Sequence, residues 1–299
     1  MTKITEHRNL KSKDIDSLST EAALRVFNAE DQTVAAAVAE MIPVIATVVD
    51  ECAERMREGG RLVYVGAGTS GRLGILDASE IPPTFGVEPG RVIGVIAGGA
   101  NAIVSASEGA EDDASAAVKD LNSVALDDID TVVCISASGD TPYVAAAAEF
   151  ARNIGCYTAA VTCSSDGRLN ELADSSVCVE VGPEVIAGST RLKAGTAQKM
   201  VLNMISTMVM VKLGYTTGNL MTNLSASNAK LRARAVRLLT TECGLSDADS
   251  ERLISDCGGD LRTAIVSARS GADLATSRDA LKESGGVIEK ALDILRSGE

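Results

Sequence analysis

The sequence predicts an α/β protein built on a doubly wound, five-stranded parallel sheet with helices on both faces. Two observations carry this prediction: short β-branched apolar runs recur along the first two thirds of the chain, and segments long enough for helices separate them. Continuous apolar runs are typical of strands buried on both faces, and their alternation with helices is typical of parallel sheets. A chain of 299 residues, 45% of them hydrophobic, can bury such a core.

The elements follow from local patterns in chain order. Apolar residues at helical spacing over 20–58, ended by Gly59 and Gly60, predict two helices before the first strand. The strand candidates are residues 62–65, 92–97, 131–135, 158–161 and 177–181. A long helix is expected over about 190–213, and short amphipathic segments without a strand signal follow it. The predicted domains are 1–58, N-terminal helices that pack on the core; 59–239, the α/β domain; and 240–299, a small helical bundle.

The charge balance limits the kinds of partner. The chain has 28 basic and 41 acidic residues, a formal net charge of −13, which disfavours nucleic acid and anionic membranes. The N-terminus is polar and lacks the apolar segment of an export signal. The longest strongly apolar stretch, 201–213, is shorter than the roughly 20 residues that span a bilayer. We therefore expect a cytoplasmic protein with no nucleic-acid and no membrane partner.

The cysteines and histidines restrict the possible chemistry. Seven cysteines, an odd number, are scattered without C-x-x-C spacing, which is typical of reduced and mostly buried thiols. His7 is the only histidine, so the sequence offers almost nothing for a metal site or a histidine-based nucleophilic triad. Any acid–base chemistry therefore falls to carboxylates.

Two strand-to-helix turns are rich in Gly, Ser and Thr: GAGTSGRLG (66–74) after the first strand candidate and SASGDTPY (136–143) after the third. Amides at a helix N-terminus, helped by the helix dipole, bind an anion without a dedicated cation. In the second turn, Thr141 before Pro142 is typical of a helix N-cap. Two such turns in one sheet predict a phosphate pocket for a small phosphorylated molecule. The candidate contacts in these turns are Gly68, Thr69, Ser70, Ser136, Ser138 and Thr141.

The first turn also satisfies the dinucleotide fingerprint G-x-G-x-x-G, at Gly66, Gly68 and Gly71. A dinucleotide site needs an acidic residue at the end of the next strand to bind the ribose. That strand candidate is followed instead by Ala-Gly-Gly-Ala at 97–100. We therefore favour the phosphate pocket over a nicotinamide site.

Longer motifs resemble the N-acetylmuramic acid 6-phosphate etherases, which contain a sugar isomerase (SIS) domain. The resemblance lies in GAGTSGRLGILDASEIPPTFGV (66–87), EGAEDD (108–113), SASGDTPYV (136–144) and GPEVIAGSTRLKAGTAQKMVLNM (182–204). TEHRN (5–9) and NLMTNLSASNAKL (219–231) fit the same pattern, so the resemblance covers most of residues 5–240. The long GSTRLKAGTAQK block is far more specific than a three-glycine match.

The resemblance implies cleavage of the lactyl ether of N-acetylmuramic acid 6-phosphate to N-acetylglucosamine 6-phosphate and D-lactate, in cell-wall sugar recycling. It implies neither a metal nor an organic cofactor, and it implies a homodimer with the pocket near the subunit interface. The family's two acid–base glutamates fall on Glu80 and Glu111. Glu80 would protonate the leaving oxygen, which requires a pKa raised by an apolar setting among its neighbours, and Glu111 would be the partner base.

The GSTRLKAG segment adds Ser189, Thr190 and Lys193 as expected substrate contacts. Three positions depart from the family pattern: Asp140 stands where Arg is usual, Ile81 where Cys is usual, and Ala187 where Thr is usual. Ile81 and Ala187 are tolerable changes. A carboxylate beside a bound phosphate is repulsive unless it faces away, so Asp140 bears on phosphate affinity.

Two other functions share this kind of pocket. One is a sugar-phosphate-binding regulator that resembles the glucokinase regulatory protein, although such regulators carry two tandem SIS domains and this chain has the length for one. The other is an aldose–ketose isomerase, since that reaction also removes a proton beside a carbonyl. The reaction product distinguishes these functions from the lyase.

Overall fold

The computed structural model describes residues 3–107, 109–223 and 229–297. Contacts divide the chain into two units, named here the α/β unit (1–79 and 90–209) and the C-terminal unit (80–89 and 210–299). Glu108 of the EGAEDD motif and residues 224–228 of the NLMTNLSASNAKL motif lie outside the described residues. The predicted boundary near residue 240 falls inside a helix that spans Ala229–Cys243.

The N-terminal part of the α/β unit is helical, as predicted. After short 3-10 turns at Ile4–Glu6, Leu10–Ser12 and Ile15–Ser17 come α1 (Thr20–Glu40) and α2 (Ile42–Arg57). The Ser19 hydroxyl caps α1 by accepting from the amide of Ala22. No single helix in the described ranges is long and apolar enough to cross a membrane. Helices α1 and α2 together have the length and apolar composition of a membrane span, but a bend of 59° separates them.

The described strands of the α/β unit form a parallel five-stranded sheet in the order β2-β1-β3-β4-β5. Their bounds are Leu62–Gly66 (β1), Val92–Ile96 (β2), Thr131–Ile135 (β3), Tyr157–Thr162 (β4) and Ser175–Cys178 (β5). The predicted fold class is confirmed. The last strand lies earlier than the predicted 177–181, because its pairing ends opposite the end of β4, where Thr162 pairs with Cys178.

Helices cover both faces of this sheet. One of them is α2, which contacts β3, β4 and β5. The helices that begin after β1 in this unit are α3 (Gly68–Phe85), α4 (Asn101–Val104), α5 (Ala114–Ser123), α6 (Pro142–Asn153), α7 (Leu169–Leu172) and α8 (Lys193–Lys212). Val63 and Val65 point to the face where α5 and α6 pack, and Tyr64 points to the other, where its hydroxyl donates to Asp77 of α3 (2.8 Å). The predicted long helix corresponds to α8.

The C-terminal unit is mainly helical. A hairpin of β6 (Thr216–Thr217) and β7 (Leu220–Met221) precedes α9 (Ala229–Cys243), α10 (Asp247–Asp256), α11 (Leu261–Ser270), α12 (Leu274–Glu283) and α13 (Ile288–Ser297). Ser246, Asp260 and Asp273 cap the starts of α10, α11 and α12. The helices bury an apolar core of Leu, Ile, Val and Ala side chains. The hairpin was not predicted, since two-residue strands carry no periodic signal.

Candidate active site

The strand order reverses between β1 and β3, which lie side by side at the centre of the sheet. The chain leaves β1 towards β2 on one side, and β3 lies on the other side with Ile135 opposite Gly66. In open parallel sheets, ligands bind outside the carboxyl ends of the strands at such a switch point. Both glycine- and serine-rich turns begin there, because one follows β1 and the other follows β3.

The first turn is too tight for side chains at two of its glycines. A Cβ at Gly66 would lie 2.6 Å from the amide nitrogen of Gly71, and a Cβ at Gly71 would lie 2.5 Å from Cγ1 of Ile96. Helix α3 therefore starts directly against the strand, and the residue before it, Ala67, has no side chain that can cap it. The amides of Gly68, Thr69 and Ser70, in the first turn of this helix, have no intrahelical acceptor and are open to an anion.

The second turn holds a cluster of hydroxyl groups. The Oγ of Ser136 lies 2.8 Å from Oγ1 of Thr141 and 3.4 Å from Oγ of Ser138, and it accepts from the amide of Gly139 at 3.1 Å. Thr141 and Pro142 occupy the predicted N-cap and first helical positions of α6. The Thr141 side chain makes no capping hydrogen bond to α6, because its hydroxyl bonds to Ser136 instead. This N-terminus is also open.

The carboxylate of Asp140 bonds to partners other than these hydroxyls. Its Oδ2 lies 2.7 Å from Nζ of Lys3, and its Oδ1 accepts from the amide of Arg168 at 2.8 Å. Burial by itself would raise the pKa of Asp140, but the hydrogen bonds from Lys3 and from the Arg168 amide lower it. The N-terminal segment thus supplies a cation that neutralises the acid at this position.

The GSTRLKAG segment, which also holds predicted substrate contacts, leads into α8, and the N-terminus of α8 differs from those of α3 and α6. The carboxylate of Glu184 accepts the amides of Lys193 and Ala194, both at 2.9 Å, so the N-terminus of α8 is already occupied by an acid. Lys193 is 2% exposed, and its Nζ lies 2.8 Å from Oε2 of Glu30. The structure therefore places the Lys193 ammonium in a buried ion pair with Glu30.

The first turn and α8 contact each other. Ser70 donates its hydroxyl to Oε1 of Gln198 at 3.0 Å. A Cβ at Gly195 would lie 3.5 Å from Cγ2 of Thr69 and 3.6 Å from the carbonyl oxygen of Thr190. The structure thus brings Thr69, Ser70 and Thr190 together, and the half-buried Ser189 precedes Thr190. Gln198 was not predicted, although an amide in the apolar run of a buried helix is a usable signal.

Glu111 lies beside the first turn. It belongs to a 3-10 turn at Ala110–Asp112 and is exposed. A cavity of about 180 Å³ includes Glu111, Gly68, Ser107 and Arg72 in its lining. Arg72 was also not predicted; its guanidinium donates to the carbonyl oxygens of Ile103 and Ser105, both at 3.0 Å, and so fixes the segment that leads to Glu111.

Glu80 lies near the end of α3, in the part of that helix that belongs to the C-terminal unit. Its side chain is exposed, whereas Ile81 and Phe85 are each 4% exposed. The expected apolar enclosure of the Glu80 carboxyl is therefore not formed by these neighbours, because their side chains are buried while that of Glu80 faces solvent. A shared catalytic role of Glu80 and Glu111 stays a prediction.

The thiols are unsuited to nucleophilic chemistry. All seven cysteines lie in the described ranges and are free. Burial raises the pKa of Cys134 to about 12, so this thiol stays protonated at neutral pH. Among the described residues, no group of three or more His, Cys, Asp and Glu side chains is arranged to hold a metal ion.

The chain is similar to known proteins over most of its length. Family profiles match residues 44–152 (glucokinase regulatory protein N-terminal SIS domain) and residues 112–208 (SIS domain). Curated relatives named N-acetylmuramic acid 6-phosphate etherase match nearly the whole chain. That of Streptomyces avermitilis is 47% identical, covering 98% of both chains. That of Streptomyces coelicolor is 49% identical, covering 97% of this chain and 94% of the relative, and that of Klebsiella aerogenes is 47% identical, covering 97% and 96%.

Proposed function

The chain belongs to the N-acetylmuramic acid 6-phosphate etherase family, and from that membership we propose how its residues perform the family reaction. The resemblance predicted from the motifs is thereby confirmed. The reaction is lyase cleavage of the D-lactyl ether of N-acetylmuramic acid 6-phosphate, which gives N-acetylglucosamine 6-phosphate and D-lactate. The observation that carries this function is the identity to etherases along almost the entire chain.

In the proposed binding mode, the substrate's phosphate lies at the switch point between β1 and β3. Two helix N-termini, those of α3 and α6, are open there, and the Ser136, Ser138 and Thr141 hydroxyls surround the second. The third nearby N-terminus, that of α8, is occupied by Glu184. This difference supports phosphate binding by the first two turns, with Thr69 and Ser70 from the first.

The proposed chemistry is an elimination followed by a hydration. In the open-chain sugar, the aldehyde acidifies the hydrogen on carbon 2, so a base can remove that proton while the lactyl oxygen leaves carbon 3 with a proton from an acid. Water then adds to carbon 3 of the resulting double bond, and a proton returns to carbon 2. We assign Glu80 as the acid for the lactyl oxygen and Glu111 as the base; the cavity that Glu111 shares with Gly68 supports the second assignment.

We propose that the enzyme acts as a homodimer in the cytoplasm. The large hydrophobic side chains that are exposed among the described residues all belong to the α/β unit: Leu10, Leu18, Leu24, Ile42, Leu76, Ile103, Val104, Ile186 and Met208. Burial of these side chains against a second copy would remove them from water. Free thiols and an acidic composition suit a reducing, aqueous compartment.

The decisive experiment measures D-lactate release from N-acetylmuramic acid 6-phosphate by the purified protein and by the variants Glu80→Gln and Glu111→Gln. We expect both variants to lose lactate release, roughly 10³-fold or more, while they still bind N-acetylglucosamine 6-phosphate. Glu88→Gln, at an exposed glutamate in the same segment as Glu80, is the matched control and should keep full activity.

The same assay separates the alternatives. Full activity in both glutamate variants would refute the assigned roles. Turnover of a hexose phosphate without any lactate would favour an isomerase. Binding of sugar phosphates without turnover of either substrate would favour a regulator, which the partial match to the glucokinase regulatory protein domain keeps as the second candidate.

A further inference from the structure

Gln198 lies in surroundings that do not suit an amide. Its side chain is 1% exposed on α8, and the neighbours at i−4, i−1 and i+3, Ala194, Ala197 and Val201, are fully buried and apolar. Its Oε1 accepts from Ser70, but its Nε2 has no hydrogen-bond partner among the described residues. An unpaired buried donor lowers stability, and leucine or methionine would fill the same space without that loss. Folding alone does not account for a glutamine here.

The Ser70 hydroxyl has only one proton to give. In the structure it goes to Oε1 of Gln198, at 3.0 Å. A phosphoryl oxygen only accepts hydrogen bonds, so Ser70 can donate to a phosphate only when that proton leaves Gln198. Oε1 would then face a lone pair of the Ser70 oxygen, which is repulsive.

A half-turn of the carboxamide resolves this conflict. It exchanges Oε1 and Nε2, so that Nε2 donates to the Ser70 oxygen while Ser70 donates to the phosphate. The rotation breaks no hydrogen bond of Nε2 with the described residues, because Nε2 has none. The unpaired group then becomes a carbonyl oxygen, which is tolerated in protein interiors more often than an unpaired N–H.

We propose that Gln198 is a positioning residue for the substrate's phosphate, which orients the Ser70 hydroxyl by rotation of its carboxamide. The inference rests on the proposed function, because it needs Ser70 to contact the phosphate. The position of Gln198 supports the inference. Its partner Ser70 lies in the first, open turn of α3, and Gly195, one turn before Gln198 on α8, packs close to Thr69.

The test combines Gln198→Leu with Ser70→Ala and the double variant. We expect Gln198→Leu to raise the KM for N-acetylmuramic acid 6-phosphate about tenfold, with kcat changed less than about twofold, because the lost contact orients Ser70 for phosphate binding and takes no part in bond cleavage. The Kd for N-acetylglucosamine 6-phosphate, measured by calorimetry, should rise in parallel. In the Ser70→Ala background, Gln198→Leu should change KM less than about twofold, because its partner is already absent.

Stability separates positioning from a structural role. Gln198→Leu should keep or raise the Tm, since it removes an unpaired buried donor. Ser277→Ala, which removes another buried and unpaired polar group, in α12, is the matched control and should leave KM unchanged. If the leucine variant folds poorly, Gln198→Met repeats the test with a more flexible side chain.

Two results would overturn the inference: a KM within twofold of the parent protein in Gln198→Leu, or a tenfold rise that persists in the Ser70→Ala background. Failure of the proposed function looks different, because the parent protein itself would then release no lactate. In that case the Kd for N-acetylglucosamine 6-phosphate, measured by calorimetry, still tests the role of Gln198.

Discussion

The ammonium of Lys3 lies 2.7 Å from Oδ2 of Asp140 and 3.1 Å from Oδ1 of Asp166. Asp140 stands in the serine-rich turn where the family pattern has arginine, so it places a negative charge next to the proposed phosphate position. The contact with Lys3 neutralises this charge. The N-terminal segment is held in place nearby, since the Thr5 carbonyl accepts from the amide of Gly188 at 3.1 Å.

Lys3→Met should weaken binding of the sugar phosphate. Without the ammonium, the Asp140 carboxylate repels the phosphate, and we expect KM to rise about three- to tenfold with little change in kcat. Steady-state lactate release at low and high salt measures this effect, which should shrink at high salt. Asp140→Asn in the same chain should restore KM; a KM that stays high in the double variant would contradict the electrostatic explanation.

Ser136→Ala should also raise KM. The Ser136 oxygen links Thr141, Ser138 and the amide of Gly139, so its removal disorders the hydroxyl cluster as well as deleting one phosphate contact. We expect KM and the Kd for N-acetylglucosamine 6-phosphate to rise about tenfold. Ser123→Ala, on the exposed end of α5, is the control. Equal binding by both variants would exclude the second turn from the phosphate site.

Leu24→Glu tests the proposed homodimer. Leu24 is 62% exposed on α1, among the apolar side chains that a second copy would cover. A buried glutamate would be left without a partner, so we expect the variant to run as a monomer in size-exclusion chromatography with light scattering, while the parent protein runs as a dimer. Gln32→Glu adds the same charge to the same helix and should stay dimeric. A monomeric parent protein would refute the dimer directly.

Local patterns in the sequence predicted the sheet and both turns, because their causes are local. The strand runs are apolar on both faces, and Gly66 and Gly71 leave no room for side chains. The partner of the Thr141 hydroxyl could not be predicted, since helix capping and a bond to Ser136 are both possible for the same short segment.

Contacts between distant parts of the chain leave no such pattern. Lys193 has the charge expected of a phosphate ligand, yet it meets Glu30, 163 residues away, inside the protein. Lys3 reaches Asp140 only because the N-terminal segment folds back onto the α/β unit. The departure from the family pattern at Asp140 indicated a position that bears on phosphate affinity, but it did not indicate which cation neutralises the carboxylate.

The buried pair of Glu30 and Lys193 predicts acid sensitivity. Glu30 is 4% exposed and accepts from Lys11 and Lys193 at 2.8 Å and from Asn9 at 2.7 Å. Burial alone would raise its pKa, but these three hydrogen bonds lower it to about 2, from an ordinary value of 4.5. The unfolded chain therefore binds a proton that the folded chain does not bind between these two values.

This difference stabilises the folded state fully above pH 4.5 and is lost as the pH falls towards 2. Its size is on the order of 3 kcal/mol. Glu30→Gln should lose this contribution: urea unfolding should show a lower free energy of unfolding at pH 7 and a fall between pH 7 and pH 3 that is about 2 kcal/mol smaller than in the parent protein. Glu40→Gln, at an exposed position of α1, should keep the parent's pH dependence. An unchanged pH dependence in Glu30→Gln would show that the pair with Lys193 does not hold this carboxylate ionised.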